Sequence, residues 1–363
     1  MTDASIRDDD PSTVGWDAIT AVLQRLYPGQ EPKHWGTVVG FAIGGRDPLD
    51  GFSAYLHDDG RAPAHWHYVS FGMSELYDKT SDDKDVSGWG FEFTFRLKRE
   101  NTGQEPPQWP LSLMQNLARY VFETGNVFAV AHYLPLNGPI ALERETALHA
   151  AMFIEDPELG TIETPNGKLQ FLLLVGATLD ELAAARAWNT EKLLNLMRRT
   201  NPLLMTDLAR QSILAEPDIA LSVVEQTGRE GSSSGLLAVR EMSVQIGSWF
   251  SRNKQITLVL GASGVGDFRA LLRGRTAFGR DFRVVGPDAI LTIVPAEDFE
   301  CKTTETEKNI EMSLSLTAAN ALADALQPRR GDYHVPTLPH LTVRVVPSEI
   351  RDHTGTKIVE VIG

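Results

Sequence analysis

The chain has almost no sulfur chemistry to offer, with a single cysteine, Cys301, in 363 residues. An internal disulfide framework and a multi-cysteine metal cage are therefore excluded. Cys301 sits beside Lys302 in the polar run EDFECKTTETEK (residues 297–308), with no histidine near it in sequence. It reads as an incidental surface thiol and not as an activated nucleophile. Long apolar runs are missing too, since no stretch reaches the ~18 residues that a membrane helix needs. The opening MTDASIRDDDPSTVG has neither a basic region nor an apolar one after it. No signal peptide is expected, and the cytoplasm is the default location.

Cations are also scarce: 34 Lys and Arg stand against 48 Asp and Glu, for a net charge of −14. Binding to a phosphate backbone relies on clustered Lys and Arg. The short runs RLKR (96–99) and RR (198–199) read as solvated faces. No nucleic-acid or membrane partner is expected, and an acidic chain is steered toward basic proteins.

One stretch invites a nucleotide-binding reading. In ITLVLGASGVGDFRALLRG (256–274), a run of β-formers leads through Gly261, Gly264 and Gly266 into a helical pattern. A phosphate loop would place Lys and then Ser or Thr directly after its last glycine. Here Asp267 and Phe268 follow Gly266, and Asp267 would repel a phosphate. The spacing is G-x-x-G-x-G, which is not the dinucleotide fingerprint either. Nucleotide binding is rejected, and the loop is read as a strand-to-helix turn with Asp267 favourably placed in the first helical turn.

The order of elements favours α+β over a doubly wound sheet, because strands and helices do not alternate strictly. A helix is expected over 15–26, from the 3–4 spacing of Trp16, Ile19, Val22, Leu23 and Leu26. Strands are expected at 36–43, 52–56, 67–71 and 89–97. In the last, Trp89, Phe91, Phe93, Phe95 and Leu97 alternate with Gly90, Glu92, Thr94 and Arg96, so the apolar five share one core-facing side. Trp109 and Pro110 open a helix with Leu113, Leu117, Tyr120 and Val121 on one stripe, 167–175 is a strand, and 176–199 holds one or two helices. Strands near 237–249, 256–260, 282–285 and 289–294, a helix at 315–326 and a strand at 341–346 complete the set. TGREGSSSG (227–235) reads as a linker. The division is a disordered tail at 1–15, an N-terminal domain at 16–226, the linker, and a C-terminal domain at 236–363.

His65 and His67 are the remaining candidates for chemistry. Two residues apart on a strand, they face the same way and could share a metal, with His57 or Asp59 nearby as a third ligand. The competing reading is local hydrogen bonding. No nucleophile elbow is present, and carboxylate pairs such as Glu155 with Asp156 or Asp82 with Asp83 read as surface groups.

A set of stretches recurs together in one known family: LYPG (26–29), GGRDPLD (44–50), HWHYVSFGMSELY (65–77), SGWGFEFTFRLKRE (87–100), WPLSLMQNLARYVF (109–122) and EDP (155–157), with LLRGR (271–275) and FGRDF (278–282) in the second half. Over both halves the chain resembles suppressor of fused, in a compact, bacterial-type form. The resemblance implies a two-domain α+β fold, each domain a mainly antiparallel or mixed sheet flanked by helices. It implies a non-enzymatic, cofactor-free protein-binding or sequestering module that holds a protein or extended peptide in the cleft between its domains. Residues matching the family's clamp are Tyr77 and Asp85, whose plainer readings are a half-buried aromatic and a loop carboxylate. The loop between Tyr77 and Ser87 is shorter than in animal members and lacks the aromatic they carry there. Bacterial members include immunity proteins, so a basic toxin is one expected partner. The alternative is a metal-dependent hydrolase using His65 and His67; a further one is a scaffold whose domains close on a peptide.

Overall fold

The computed structural model describes residues 12–363 apart from Arg61, Thr102, Gln104, Asn137, 248–254, Asp288, 304–308 and 352–355. These residues form two units. The first holds the described residues up to Leu134 with Pro139–Ala177 and Leu194–Arg210. The second holds Pro135–Gly138, Thr178–Leu193 and Gln211–Gly363.

The first unit begins with α1 (Val14–Leu26), followed by β1 (Lys33–Gly36), β2 (Gly51–His57), β3 (His65–Phe71), β4 (Val86–Lys98) and α2 (Trp109–Thr124). Then come β5 (Tyr133–Pro135), β6 (Leu148–Glu155), β7 (Thr161–Thr164) and β8 (Gly167–Thr178). The strands make one eight-stranded sheet in the order β1-β2-β3-β4-β8-β6-β5, with β7 paired to β8. Neighbours β2, β3 and β4 are antiparallel, whereas β4 and β8 run parallel. Both faces of β4 are covered. Trp109 of α2 meets Phe95 edge-on at 5.4 Å, while Trp16 of α1 stacks on Phe71 and Tyr27, just past its end, stacks on Tyr55 of the neighbouring strands. Full burial of each such aromatic is worth about 2–3 kcal/mol.

Several expectations need correction. Only Gly36 of the 36–43 stretch is in a strand; residues 41–43 form a 3-10 turn. The ladder to β2 ends at the Gly36–Gly51 pair, so the β-branched residues beyond it have no strand to bond. Of the expected tail, Val14 and Gly15 already belong to α1, and the Gly15 N–H is held by the Leu76 carbonyl at 3.1 Å. Residues 1–11 lie outside the described set. The buried side of α2 is Met114, Leu117, Ala118 and Val121; Tyr120 faces water. Arg96, expected on a solvated face, is fully buried, and so are Glu92 and Thr94. Asp156 is buried as well, not a surface carboxylate.

The second unit takes in α3 (Leu179–Ala187), the start of α4 (Thr190–Met197), α5 (Pro217–Glu230), β9 (Leu236–Ala238), β10 (Met242–Ile246), β11 (Ile256–Gly261) and α6 (Val265–Leu271). It continues through β12 (Phe282–Val285), β13 (Ile290–Pro295), β14 (Glu300–Thr303), β15 (Asn309–Leu314), α7 (Leu316–Ala325), β16 (Gly331–His334), β17 (Leu341–Val346), β18 (Ser348–Arg351) and β19 (Ile358–Ile362). Among the described residues it has two mixed sheets, β10-β11-β17-β16 and β14-β15-β13-β12-β9, and the ribbon β18-β19. One apolar core joins Phe268, Leu271 and Leu272 to Phe282, Ile293, Met312 and Val343. The α+β class expected from element order holds, with helices beside sheets that mix parallel and antiparallel pairs. Among the described residues, no helix is long and apolar enough to cross a membrane.

The glycine loop at 261–266 is the expected turn from β11 into α6. Asp267 lies in the first turn and bonds Arg186 of α3 at 2.5 Å. That contact helps explain why residues 178–193 cluster with the second unit and not with the domain drawn at 16–226. The expected linker is also more ordered than its composition implies. Residues 227–230 finish α5, and Ser232 is fully buried.

Candidate functional site

The polar side of the β3–β4 pair carries a buried charged cluster. Register sets His67 opposite Arg96, and His65 lies two residues away on the same side. Asp156, just past β6, accepts three hydrogen bonds on each carboxylate oxygen. Oδ1 takes Arg96 Nη2 at 2.8 Å and the N–H groups of Glu158 and Leu159 at 3.0 and 3.1 Å. Oδ2 takes Thr94 Oγ1 at 3.0 Å, His67 Nε2 at 3.1 Å and Arg96 Nε at 3.3 Å. Burial alone would raise the Asp156 pKa, but Arg96 and His67 outweigh it and hold the carboxyl well below the usual range.

This geometry sets the tautomers. An ionised carboxylate only accepts, so His67 carries its proton on Nε2 and accepts from the Tyr27 hydroxyl on Nδ1, 2.7 Å away. Arg96 only donates, so His65 accepts on Nε2 at 3.2 Å and gives its Nδ1 proton to the Pro63 carbonyl at 2.9 Å. A metal needs an imidazole lone pair, and both rings have spent theirs inside the protein. His57 stacks on His65 with ring centroids 4.5 Å apart. The pair that suggested a metal enzyme is a local hydrogen-bonding network. It ties the end of α1 and the turn after β6 to the centre of the sheet.

The cluster has a consequence for acid stability. Burial lowers His65 from its ordinary 6.5 to about 3 and pushes His67, His34 and His132 in the same direction. The unfolded chain therefore binds more protons than the folded one as pH drops below 6.5, and stability is lost on the way down toward pH 3. Glu75, lowered to about 2, adds to the loss below its ordinary 4.5. Glu92, raised by burial, partly offsets it. Urea denaturation should give an unfolding free energy that is level between about pH 7 and 9 and declines below pH 6.5, by up to about 1.4 kcal/mol per pH unit per histidine. His65→Gln should flatten that decline; a stability that rises on acidification would contradict the assignment.

Two further carboxylates position the sequence-derived candidates. Glu92 accepts Ser70 Oγ at 2.5 Å, Ser74 Oγ at 2.6 Å, and the Gly72 and Ser74 N–H groups at 2.9 Å each. It anchors the turn leaving β3. Glu75 then organises the loop beyond it, accepting the Ser81 N–H at 2.6 Å, Thr80 N–H at 2.7 Å, Lys79 Nζ at 2.7 Å and Gly88 N–H at 3.1 Å. Tyr77 and Asp85 are at the two ends of this loop, and both are exposed, Tyr77 by 43%. The β7–β8 turn and the start of β8 hold the two ends: Asn166 Nδ2 donates to the Tyr77 carbonyl at 2.7 Å, and the Lys168 N–H to the Asp85 carbonyl at 2.8 Å. Burial and the Asp50 carboxylate raise the Tyr77 hydroxyl pKa. Glu75, Glu92 and Asn166 were not singled out from sequence. The serines and threonines around them were the available signal.

In the second unit the LLRGR and FGRDF stretches do structural work. Residues 272–276 form a π-helical turn continuing α6. Arg275 Nη1 and Arg280 Nη1 both donate to the Ser232 carbonyl at 3.1 Å, and the Ser232 N–H bonds the Gly274 carbonyl at 2.8 Å. Cys301 is half-buried on β14.

The fold and site define a two-unit mixed α/β protein whose buried carboxylates hold surface loops in place. Residues 45–211 match the family model described as suppressor of fused protein. The human suppressor of fused homolog is 38% identical over 239 residues, covering 62% of this chain and 49% of the human protein. The chain thus spans about half the length of the curated relatives it matches. The crystal structure of Drosophila suppressor of fused superposes with a TM-score of 0.75 at 24% identity, over 92% of this chain and 97% of that one. A chain from the Sufu-Fu complex crystal structure is 34% identical with a TM-score of 0.55, over 59% of this chain and 98% of its own length. This chain belongs to the suppressor of fused family.

Proposed function

We propose that this protein is a non-enzymatic binding module that sequesters another protein through an extended segment, contacted by Tyr77 and Asp85. The observation that carries the reading is the loop between them. A nearly buried carboxylate, Glu75, is spent on six backbone and side-chain donors whose effect is to hold Tyr77 and Asp85 at the surface. Such preorganisation lowers the entropy lost on association. A relative crystallised as the Sufu-Fu complex is consistent with a protein partner.

The second unit offers an edge for strand addition. β9 is the outer strand of its sheet, and Leu236 is 55% exposed. The Gly235 carbonyl and Val239 N–H bond β12, so the backbone groups of Leu236 and Ala238 point away from it. An uncharged edge without proline is one to which a peptide readily adds. In this reading the segment engages both domains of a cytoplasmic protein. The net charge of −14 suits a basic toxin, which the chain would neutralise as an immunity protein.

The test is whether a basic toxin is encoded beside the gene, as the immunity role requires, and calorimetric titration with that toxin. Tyr77→Ala should weaken binding by about 2 kcal/mol, as for a central aromatic contact, and Asp85→Ala by about 1 kcal/mol, with affinity falling as salt rises. Unchanged affinity in both variants would remove the assignment.

A further inference from the structure

The loop after β1 shows more apolar surface than its own folding explains. Val38 is 98% and Ile43 80% exposed, and Val39 and Phe41 are exposed as well. The loop is nevertheless firmly built. Thr37 N–H donates to the Asp50 carbonyl at 2.8 Å and Thr37 Oγ1 to the Leu49 carbonyl at 2.5 Å. Ile43 and Gly45 N–H groups both reach the Gly40 carbonyl at 3.1 Å. Gly45 packs so closely that a Cβ would lie 2.0 Å from the Val39 carbonyl oxygen, so only glycine fits. Asp47, at the loop's end, bonds Arg119 of α2 at 2.8 Å. Polar side chains at these tips would cost folding nothing. Four apolar ones held in place mark a contact surface.

The loop adjoins the candidate site. Phe41 meets Phe122 at 5.2 Å, and Phe122 meets Trp89 at 5.4 Å, next to the Gly88 that closes the Glu75 loop. Asp50, whose carbonyl holds Thr37, is within electrostatic reach of the Tyr77 hydroxyl. The segment beyond Tyr77 is acidic: Asp78, Asp82, Asp83 and Asp85 stand against Lys79 and Lys84, and Lys79 is taken up by Glu75. An apolar surface thus runs into an acidic one. A net charge of −14 works against a second copy of this chain and against an anionic lipid surface as the occupant.

We propose that the contact surface of the first unit extends from Tyr77 and Asp85 across Trp89 and Phe122 to residues 38–43. Its occupant is an amphipathic, basic segment of another protein. Apolar side chains of that segment pack on Val38, Phe41 and Ile43, and its Lys or Arg residues face the aspartates at 78–85. This rests on the protein-binding reading above and adds the chemistry of the partner.

The experiment is a fluorescence-anisotropy titration of the full chain with a labelled peptide of strictly alternating leucine and lysine, which puts the two on opposite faces of an extended segment. A leucine–glutamate peptide of the same pattern serves as control. The lysine peptide should bind, and a Val38→Ser, Ile43→Ser variant should weaken it about tenfold, as should Asp82→Asn with Asp83→Asn at low salt. Both substituted surfaces are exposed, so urea midpoints should match the parent. Equal binding of the two peptides, or an unaffected loop variant, overturns the proposal. So does self-association in sedimentation that the loop variant abolishes, or co-sedimentation with phosphatidylglycerol vesicles that it abolishes. If Tyr77→Ala weakens toxin binding while the loop variant leaves toxin and lysine-peptide binding unchanged, the extension fails and the protein-binding reading stands. If neither variant affects binding, both fall.

Discussion

Replacing Asp156 with alanine should lower the free energy of unfolding by about 3–5 kcal/mol, the range for leaving a buried charge without its partner. The loss is large because of what Asp156 serves. Its two oxygens satisfy Arg96, His67, Thr94 and two backbone N–H groups, and Arg96 is itself fully buried. Glu158 still meets Arg96 Nη1 at 2.7 Å, but it is partly exposed and cannot replace the lost carboxylate. Arg96→Met alone should be damaging for the converse reason. The double variant, Arg96→Met with Asp156→Leu, should lose clearly less than the two single losses added together, since neither charge remains unpaired. Urea denaturation of the four proteins measures this. Additive losses, or a loss below about 1 kcal/mol for Asp156→Ala, would mean that the ion pair does not hold the sheet as described.

The second large effect is expected at Gly231→Ala. Gly231 has φ 66° and ψ −164°, a conformation essentially confined to glycine. A Cβ there would lie 2.3 Å from the Gly274 carbonyl oxygen and 2.4 Å from the Phe278 ring. Backbone strain and overpacking together should cost about 3 kcal/mol. Arg275→Ala should cost less, about 1 kcal/mol, because Arg280 still donates to the Ser232 carbonyl. Unfolding curves resolve the difference. Equal effects from the two substitutions would show that the glycine's close approach is not what fixes this segment.

Periodicity made much of the fold legible. The helix over 15–26, the aromatic strand at 89–97, the strand at 256–260 and the helix at 315–326 all fall, to within a few residues, where spacing put them. It failed where local propensity had no tertiary partner: Thr37, Val38 and Val39 look like a strand, but β2 ends opposite Gly36. It also failed where charge was equated with exposure. Arg96 and Asp156 are 60 residues apart in sequence, and nothing in either neighbourhood announces the other. One clue was available. Glu92, Thr94 and Arg96 share the parity of a strand whose other side is aromatic, and a central strand covered on both faces must bury that parity too. Tyr77 and Asp85 came from family resemblance, because composition and spacing give no reason to choose them. What holds them out, the Glu75 carboxylate, is an ordinary residue until the loop closes around it.

The return of the chain to the first unit sets a limit on how the protein can be dissected. Thr206 bonds both the Arg96 carbonyl and the Lys98 N–H, at 2.7 and 2.9 Å, and its hydroxyl takes the Gly176 N–H at 3.0 Å. Between Gly176 and Thr206 lie Thr178–Leu193, which belong to the other unit. A fragment stopped at 177 would lose that stitch between β4 and β8. One continued to 210 would carry α3 without α6, the helix whose Asp267 bonds Arg186. No single protease cut or stop codon therefore releases either half whole. Separate expression of the two would require excising one interior segment and rejoining the ends.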